Sequence, residues 1–276
     1  MTGRGLLVDQ GPPRLHVQID GHGPVLLLAH GFAGSARNFN PQVRALRERF
    51  RVVRYDARGH ARSEAPREAT AYTPEAFVED MQRVLAVAGA SEAIIAGLSM
   101  GAATALRFAL ADAQRVRGLV LVSFPPDASA ADGFAAVAAR FAEAIEREGL
   151  EAAGARFVWG PASGLDPRGA ALVRQGFLEH PPYALAHVLR GVIARQPRLD
   201  ELAPALGQLD RPTLVVVGEG DRAGRAPGER LAALMPRAQL VVIPEAGHVV
   251  NLDRPAAFTS ALVSWLRDQR LDRQDG

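Results

Sequence analysis

The stretch Ala93-Ile94-Ile95-Ala96-Gly97-Leu98-Ser99-Met100-Gly101-Ala102-Ala103-Thr104-Ala105-Leu106 decides how the rest of the chain is read. An apolar run suited to a buried strand enters the pentapeptide Gly-Leu-Ser-Met-Gly, and an alanine-rich, helix-prone segment follows to Ala109. Strand, sharp turn and helix in that order form the context in which G-x-S-x-G presents a serine hydroxyl as a nucleophile. The glycines have a steric reason. Side chains at 97 and 101 would collide with the adjoining strand and helix, and a serine at the apex of so tight a turn sits in strained backbone. The turn also places Ser99 at a helix N-terminus, where unpaired N–H groups and the helix dipole favour developing negative charge. Taken alone, the same residues fit a Gly-rich turn in which serine merely caps the helix.

Outward from this turn, the chain alternates strands and helices. Arg14 to Asp20 alternates Leu15, Val17 and Ile19 with polar residues, the pattern of a half-exposed edge strand. Val25 to Ala29 is apolar throughout, as a strand covered on both faces would be, and ends in His30-Gly31-Phe32-Ala33-Gly34-Ser35. A helix is expected over Asn38 to Phe50, then a strand over Arg51 to Asp56. Thr73-Pro74-Glu75 opens a helix to about Gly89, with threonine as N-cap and proline at the first helical position. Val116 to Val122 is a further buried strand. This spacing predicts an α/β fold, a mostly parallel central sheet flanked by helices with right-handed crossovers.

The alternation then breaks. Phe134 to Glu148, Gly169 to Glu179 and Tyr183 to Arg195 read as helices, separated by stretches such as Gly160-Pro161-Ala162-Ser163-Gly164. Residues 124–202 are therefore expected to form a helical cap inserted after the strand 116–122, on a core of residues 1–123 and 203–276. The core resumes with strands at Pro212 to Val217 and Leu240 to Ile243, a helix around Glu229 to Met235, and a terminal helix from Pro255 to about Arg270. The last residues are expected to fray.

Composition narrows the chemistry. The 276 residues are enough for one α/β domain with an insertion. All 32 basic residues are Arg, which leaves no lysine for a Schiff base or a general base. The net charge is only +2 and the arginines are scattered, so no nucleic-acid or membrane-binding patch is expected. Cysteine is absent, which removes disulfides, thiolate nucleophiles and Cys-based metal sites. With no signal-like N-terminus and no apolar run of about 18 residues, a cytoplasmic protein without membrane insertion is expected. The oligomeric state is not legible.

Two more turns carry chemistry. The strand to Val217 ends in Gly218-Glu219-Gly220-Asp221, and the strand to Ile243 ends in Pro244-Glu245-Ala246-Gly247-His248. Groups outside the carboxyl ends of parallel strands share one rim of the sheet. Ser99, Asp221 and His248 thus meet the needs of a nucleophile, an orienting acid and a base, in the order serine, acid, histidine. Glu219 and Glu245 are rival acids, and Asp127, beyond the strand 116–122, is a weaker one.

The chain resembles the α/β-hydrolase superfamily, in the branch whose oxyanion loop begins His-Gly. The likeness rests on His30-Gly31-Phe32, Asp56-Ala57-Arg58-Gly59-His60 with Ser63, Gly97 to Gly101, and Gly218 to Asp221 with Gly247-His248. Departures are Phe39 where many relatives have Trp, Ala102 after the turn, and Ala61 after Arg-Gly-His. The resemblance implies Ser99, Asp221 and His248 as catalytic residues and the N–H groups of Met100 and Phe32 as the oxyanion hole. It implies a structural role for His30 and for the Asp56 to His60 loop, with neither metal nor organic cofactor.

Esterases, enol-lactonases and cofactor-free perhydrolases are the relatives that the likeness points to. The expected activity is therefore serine hydrolysis of a small-molecule carboxylic ester or lactone. A haloperoxidase-like perhydrolase or a C–C bond hydrolase would use the same triad, and a non-catalytic ligand receptor is the reading from another class. Haloalkane dehalogenase and epoxide hydrolase chemistry is disfavoured, because Ser99 stands where those enzymes need Asp. Phe32, Met100 and Trp159 are candidate substrate contacts, although cap aromatics could equally pack the cap's own core. Arg156, Arg168, Arg174 and Arg190 could meet an anionic substrate. His16, His22, His180 and His187 are expected to be surface or cap residues.

Overall fold

The computed structural model describes residues 6–8, 11–126, 133–160 and 167–273. Asp127, the stretch 161–164, the side chain of Arg168 and the terminal residues expected to fray lie outside this description.

The strands are β1 (Leu6–Val8), β2 (Leu15–Asp20), β3 (Val25–Ala29), β4 (Arg51–Tyr55), β5 (Ala93–Leu98), β6 (Val116–Val122), β7 (Thr213–Gly218) and β8 (Ala238–Ile243). They form one sheet in the order β1-β2-β4-β3-β5-β6-β7-β8. From β4 to β8 every pairing is parallel, while β2 joins β4 and β1 joins β2 antiparallel. Consecutive side chains on a strand point to opposite faces, so β3 sends Leu26 and Leu28 into one apolar layer and Leu27 and Ala29 into the other. Both layers are closed by helices, which is why β3, β5 and β7 read as unbroken apolar runs.

The strand at 15–20 is not the edge. The short strand β1 lies outside it, and Leu15 and Val17 are fully buried. Three residues are too few to display a periodicity, so β1 leaves no pattern to read. At the opposite edge of the sheet, Leu240 and Val242 of β8 reach solvent.

The helices are α1 (Asn40–Leu46), α2 (Pro74–Val87), α3 (Met100–Ala111), α4 (Phe134–Phe157), α5 (Pro167–Leu178), α6 (Pro182–Gly191), α7 (Leu199–Gln208), α8 (Arg225–Leu234), α9 (Val250–Asp253) and α10 (Pro255–Asp268). Thr73 caps α2 by accepting from Ala76 N–H, as its position predicts. The helix expected to stop at Glu148 continues to Phe157, kinking at Gly149, whose φ of 83° no helix accommodates. Helix α7 forms where the sequence pattern suggests none, and the expected cap boundary between 202 and 203 falls inside it.

Sheet and helix meet most tightly at the central turn. A Cβ at Gly97 would overlap the backbone of Gly101 and Ala102, and one at Gly101 would overlap the carbonyls of Ala29 and His30. Backbone atoms cannot yield as a flexible side chain would. Gly97→Ala is therefore expected to lower stability by about 3 kcal/mol or more, read as a large fall in Tm by thermal denaturation. An unchanged Tm would mean that the turn relaxes freely.

Candidate active site

Ser99 joins β5 to α3 with φ 52° and ψ −112°, a conformation that non-glycine residues rarely hold. Its hydroxyl makes no capping hydrogen bond, so the alternative of a simple serine N-cap does not describe it. The backbone is held from behind by Ser99 N–H donating to Val122 O at 2.9 Å. The loop after β3 packs directly on this residue: a Cβ built on Gly31 would lie 3.4 Å from Ser99 Cβ. Met100 follows Ser99 directly as the first residue of α3, and Phe32 follows Gly31 in the loop packed on Ser99.

Asp221 follows β7 and His248 follows β8, the same carboxyl-terminal rim that carries Ser99. Asp221 Oδ1 accepts from Gly224 N–H at 2.9 Å, and Oδ2 accepts from His248 Nδ1–H at 2.9 Å. A carboxylate can only accept here, so Nδ1 carries the proton and Nε2 is left with its lone pair. Burial is the largest influence on Asp221 and by itself would raise its pKa. The bonds from His248 and Gly224 outweigh it and hold the carboxyl below its ordinary value. Ser123, wholly buried at φ 46°, lies beside this carboxylate without reaching hydrogen-bond geometry.

The rival acids are engaged elsewhere. Glu219 accepts from Glu245 N–H, and Glu245 pairs with Arg254. Neither touches His248.

Ser99 and His248 share the wall of a cavity of about 410 Å³, roofed by α4, α5 and α6. Phe32, Phe141 and Phe157 line it, whereas Met100 and Trp159 do not. Met100 is buried in the core beneath the turn, and Trp159 packs over Gly154 and edge-on to Phe177 with ring centroids 5.4 Å apart. Of the three expected substrate contacts, the structure thus brings only Phe32 to the cavity. A larger hollow of about 560 Å³ lies between α2, α3 and α7, away from all three candidate catalytic groups. Among the described residues no group of three or more His, Asp or Glu side chains is placed to hold a metal ion.

The surrounding loops are braced by buried charge. Asp56 accepts from Ala36 N–H and from the Arg62 side chain, while Arg58 forms a two-pronged pair with Asp80 at 2.7 and 2.8 Å. His30 donates from Nδ1 to Gly31 O and accepts at Nε2 from Ala57 N–H, so neither nitrogen is free to act as a base. Ala61 in the same loop holds φ 44°, a conformation uncommon for a residue other than glycine.

His16 is buried in the sheet and is neither a surface nor a cap residue, whereas His180 is buried within the helical block, as a cap residue would be. His16 lies in β2, in register with Leu7 of β1. His180 lies on the cavity wall, where its Nε2 meets Gly34 O at 3.1 Å and its Nδ1 meets Phe177 O at 3.2 Å. It bridges the helical block to the loop that carries Phe32. Its neighbour Glu179 pairs with Arg37 on the same loop. Sequence reasoning misses this link, because the adjacent Glu179-His180 pair offers no local signal for it.

Burial lowers the pKa of His30 from 6.5 to about 4, and that of His60 well below its ordinary value. Each ring is neutral when folded but takes up a proton below about pH 6.5 when unfolded. The unfolded state therefore binds more protons in that window, and stability falls as pH drops from about 6.5 to 4. His30 alone is expected to account for about 3 kcal/mol of that loss. Urea denaturation at pH 7 and pH 4.5 checks it; equal unfolding free energies would show that these rings protonate within the fold.

The chain matches the model of the alpha/beta hydrolase family over residues 26–261. It belongs to that family. The match spans β3 to α10, including both strand-end turns and the helical block between them. The enol-lactonase from Burkholderia xenovorans LB400 superposes with a TM-score of 0.82 at 28% identity, covering 96% of this chain and all of that one. A thermophilic esterase from Thermogutta terrifontis, solved with malate bound, superposes with a TM-score of 0.84 at 28% identity, covering 98% and 99%. The 2-(acetamidomethylene)succinate hydrolase of Mesorhizobium japonicum is 28% identical over 269 residues, or 94% of each chain. Among the described residues no helix is long and apolar enough to cross a membrane.

Proposed function

We propose that this alpha/beta hydrolase cleaves a carboxylic ester or lactone through an acyl-enzyme on Ser99. The observation that carries the reading is that His248, its Nδ1 paired with Asp221, lines the same cavity as the strained, uncapped Ser99. The likeness to an enol-lactonase and an esterase over nearly the whole chain supports the same reaction class.

In this mechanism Ser99 Oγ attacks the acyl carbon while His248 Nε2 takes its proton. The carbonyl π electrons move onto oxygen, and the N–H groups of Phe32 and Met100 stabilise the oxyanion. Each such donor is worth about 3 kcal/mol in the transition state. The tetrahedral species collapses, the C–O bond to the alcohol breaks, and imidazolium delivers its proton to the leaving oxygen. Water then repeats the sequence on the acyl-enzyme and frees the acid and Ser99. Asp221 holds the imidazole in the tautomer this requires and stabilises the imidazolium. Residues 124–202, as a cap over the core, shape the cavity that receives the substrate.

A fluorophosphonate probe followed by peptide mass mapping tests the reading. Stoichiometric labelling at Ser99 is expected, and folded protein that stays unlabelled would overturn it.

A further inference from the structure

Resting on that reading, the cavity walls bear on the substrate. In a chain of 32 Arg and 30 acidic residues, no Arg, Asp or Glu is among the described residues lining the cavity over Ser99. Four arginines of the helical block are engaged on the outer surface: Arg147 with Glu143, Arg156 with Glu148, Arg174 with Glu151 and Arg190 with Glu146, all with exposed side chains. Arg156, Arg174 and Arg190, which could have met an anionic substrate, are thus not on the cavity wall.

What faces the cavity is hydrocarbon. Phe134, Val137 and Phe141 come from the first half of α4, Phe157 and Val158 from its end, and Val173 from α5. Phe141 lies between Phe157 and Phe177, with ring centroids 4.6 and 5.9 Å away and planes 16° and 7° from parallel. Phe32 meets Phe141 edge-on at 5.8 Å, which joins this aromatic stack to the loop bearing one candidate oxyanion donor. Apart from Ser99 and His248, the polar side chains of the wall are Ser35, Asn38 and His180, gathered at the loop after β3. Asn38 Oδ1 is already engaged by Ser35 N–H, and both ring nitrogens of His180 face carbonyl oxygens.

A carboxylate carried into this cavity would lose its water and meet no guanidinium, the arrangement in which a buried charge is most unfavourable. A methylene placed there leaves water for carbon neighbours, worth about fourfold in affinity or in kcat/KM for each group buried. We propose that the acyl portion of the substrate is uncharged and apolar, a medium-length alkyl or phenylalkyl group seated against Phe141 and Phe157.

The test compares p-nitrophenyl acetate, butyrate and hexanoate with p-nitrophenyl hemiadipate, in which a carboxylate replaces the terminal methyl of the hexanoate. We expect kcat/KM to rise about fourfold per methylene, and the hemiadipate to fall at least roughly 100-fold below the hexanoate. A flat chain-length series, or a hemiadipate cleaved as well as the hexanoate, would overturn the inference. Val137→Arg supplies the missing cation from the wall and is expected to shrink the hexanoate-to-hemiadipate ratio about tenfold or more. If its circular dichroism matches wild type and the ratio is unmoved, the acyl group does not sit there and the inference is overturned. Fluorophosphonate labelling of the same preparation separates the two levels. Labelled enzyme that prefers the hemiadipate sinks only the substrate class, whereas unlabelled enzyme sinks the hydrolase reading and this inference with it.

Discussion

Replacing Ser99 by alanine is expected to lower kcat on a p-nitrophenyl ester by roughly 10⁶-fold. The protein should still fold, because the hydroxyl makes no capping bond and alanine fits the same space. What remains would be the modest acceleration, about 10³-fold over water, that oxyanion donors and binding provide without a nucleophile. Ser99→Gly separates chemistry from strain. Ser99 holds φ 52°, which glycine adopts without steric conflict, so that variant should be equally inactive yet no less stable, since about 1–3 kcal/mol of released strain offsets the entropy of about 0.4–1 kcal/mol that glycine adds to the unfolded chain. Steady-state kinetics and thermal melts of the two variants check both statements. Retention of about a hundredth of wild-type turnover by Ser99→Ala would remove Ser99 as the nucleophile.

Asp221→Asn is expected to cost about 10⁴-fold in kcat with little change in structure. The reason lies in two hydrogen bonds on one carboxylate. Gly224 N–H donates to Oδ1, and an asparagine would keep its carbonyl oxygen there. Its amide nitrogen would then face His248 Nδ1 and donate to it, where the carboxylate accepts. That reverses the tautomer, puts the proton on Nε2, and leaves no lone pair to receive the Ser99 proton. The effect should fall on kcat more than on KM, because Asp221 does not line the cavity. A loss below tenfold would point to another orienting acid, with Glu219 and Glu245 the nearest alternatives in sequence.

Much of this arrangement is legible in the residues alone. The turn at 97–101 announces itself because glycine spacing, an apolar run and an alanine-rich helix are all local, and local patterns survive into the fold. Asp221 and His248 can be placed on the rim of Ser99 because parallel strands all end on one side. The elements that escape notice have no local pattern to display. β1 is too short, and its presence turns the alternating strand at 15–20 from an edge into an interior neighbour. Helix α7 carries Pro204 inside it, which masks its helical pattern in sequence.

By itself the sequence determined the sheet-and-helix alternation, the strained serine turn and the serine, acid, histidine order, since each follows from residue spacing and backbone sterics. Only the tertiary structure decided which aromatics line the cavity over Ser99, and it paired His248 with the acid already singled out in the sequence. It alone brought His180, 146 residues away in the chain, against Gly34 beside the candidate oxyanion loop. It also directed Trp159 into packing and kept the described arginines off the cavity wall. These outcomes depend on which faces of distant helices meet, a property of packing between segments that no single stretch of residues encodes.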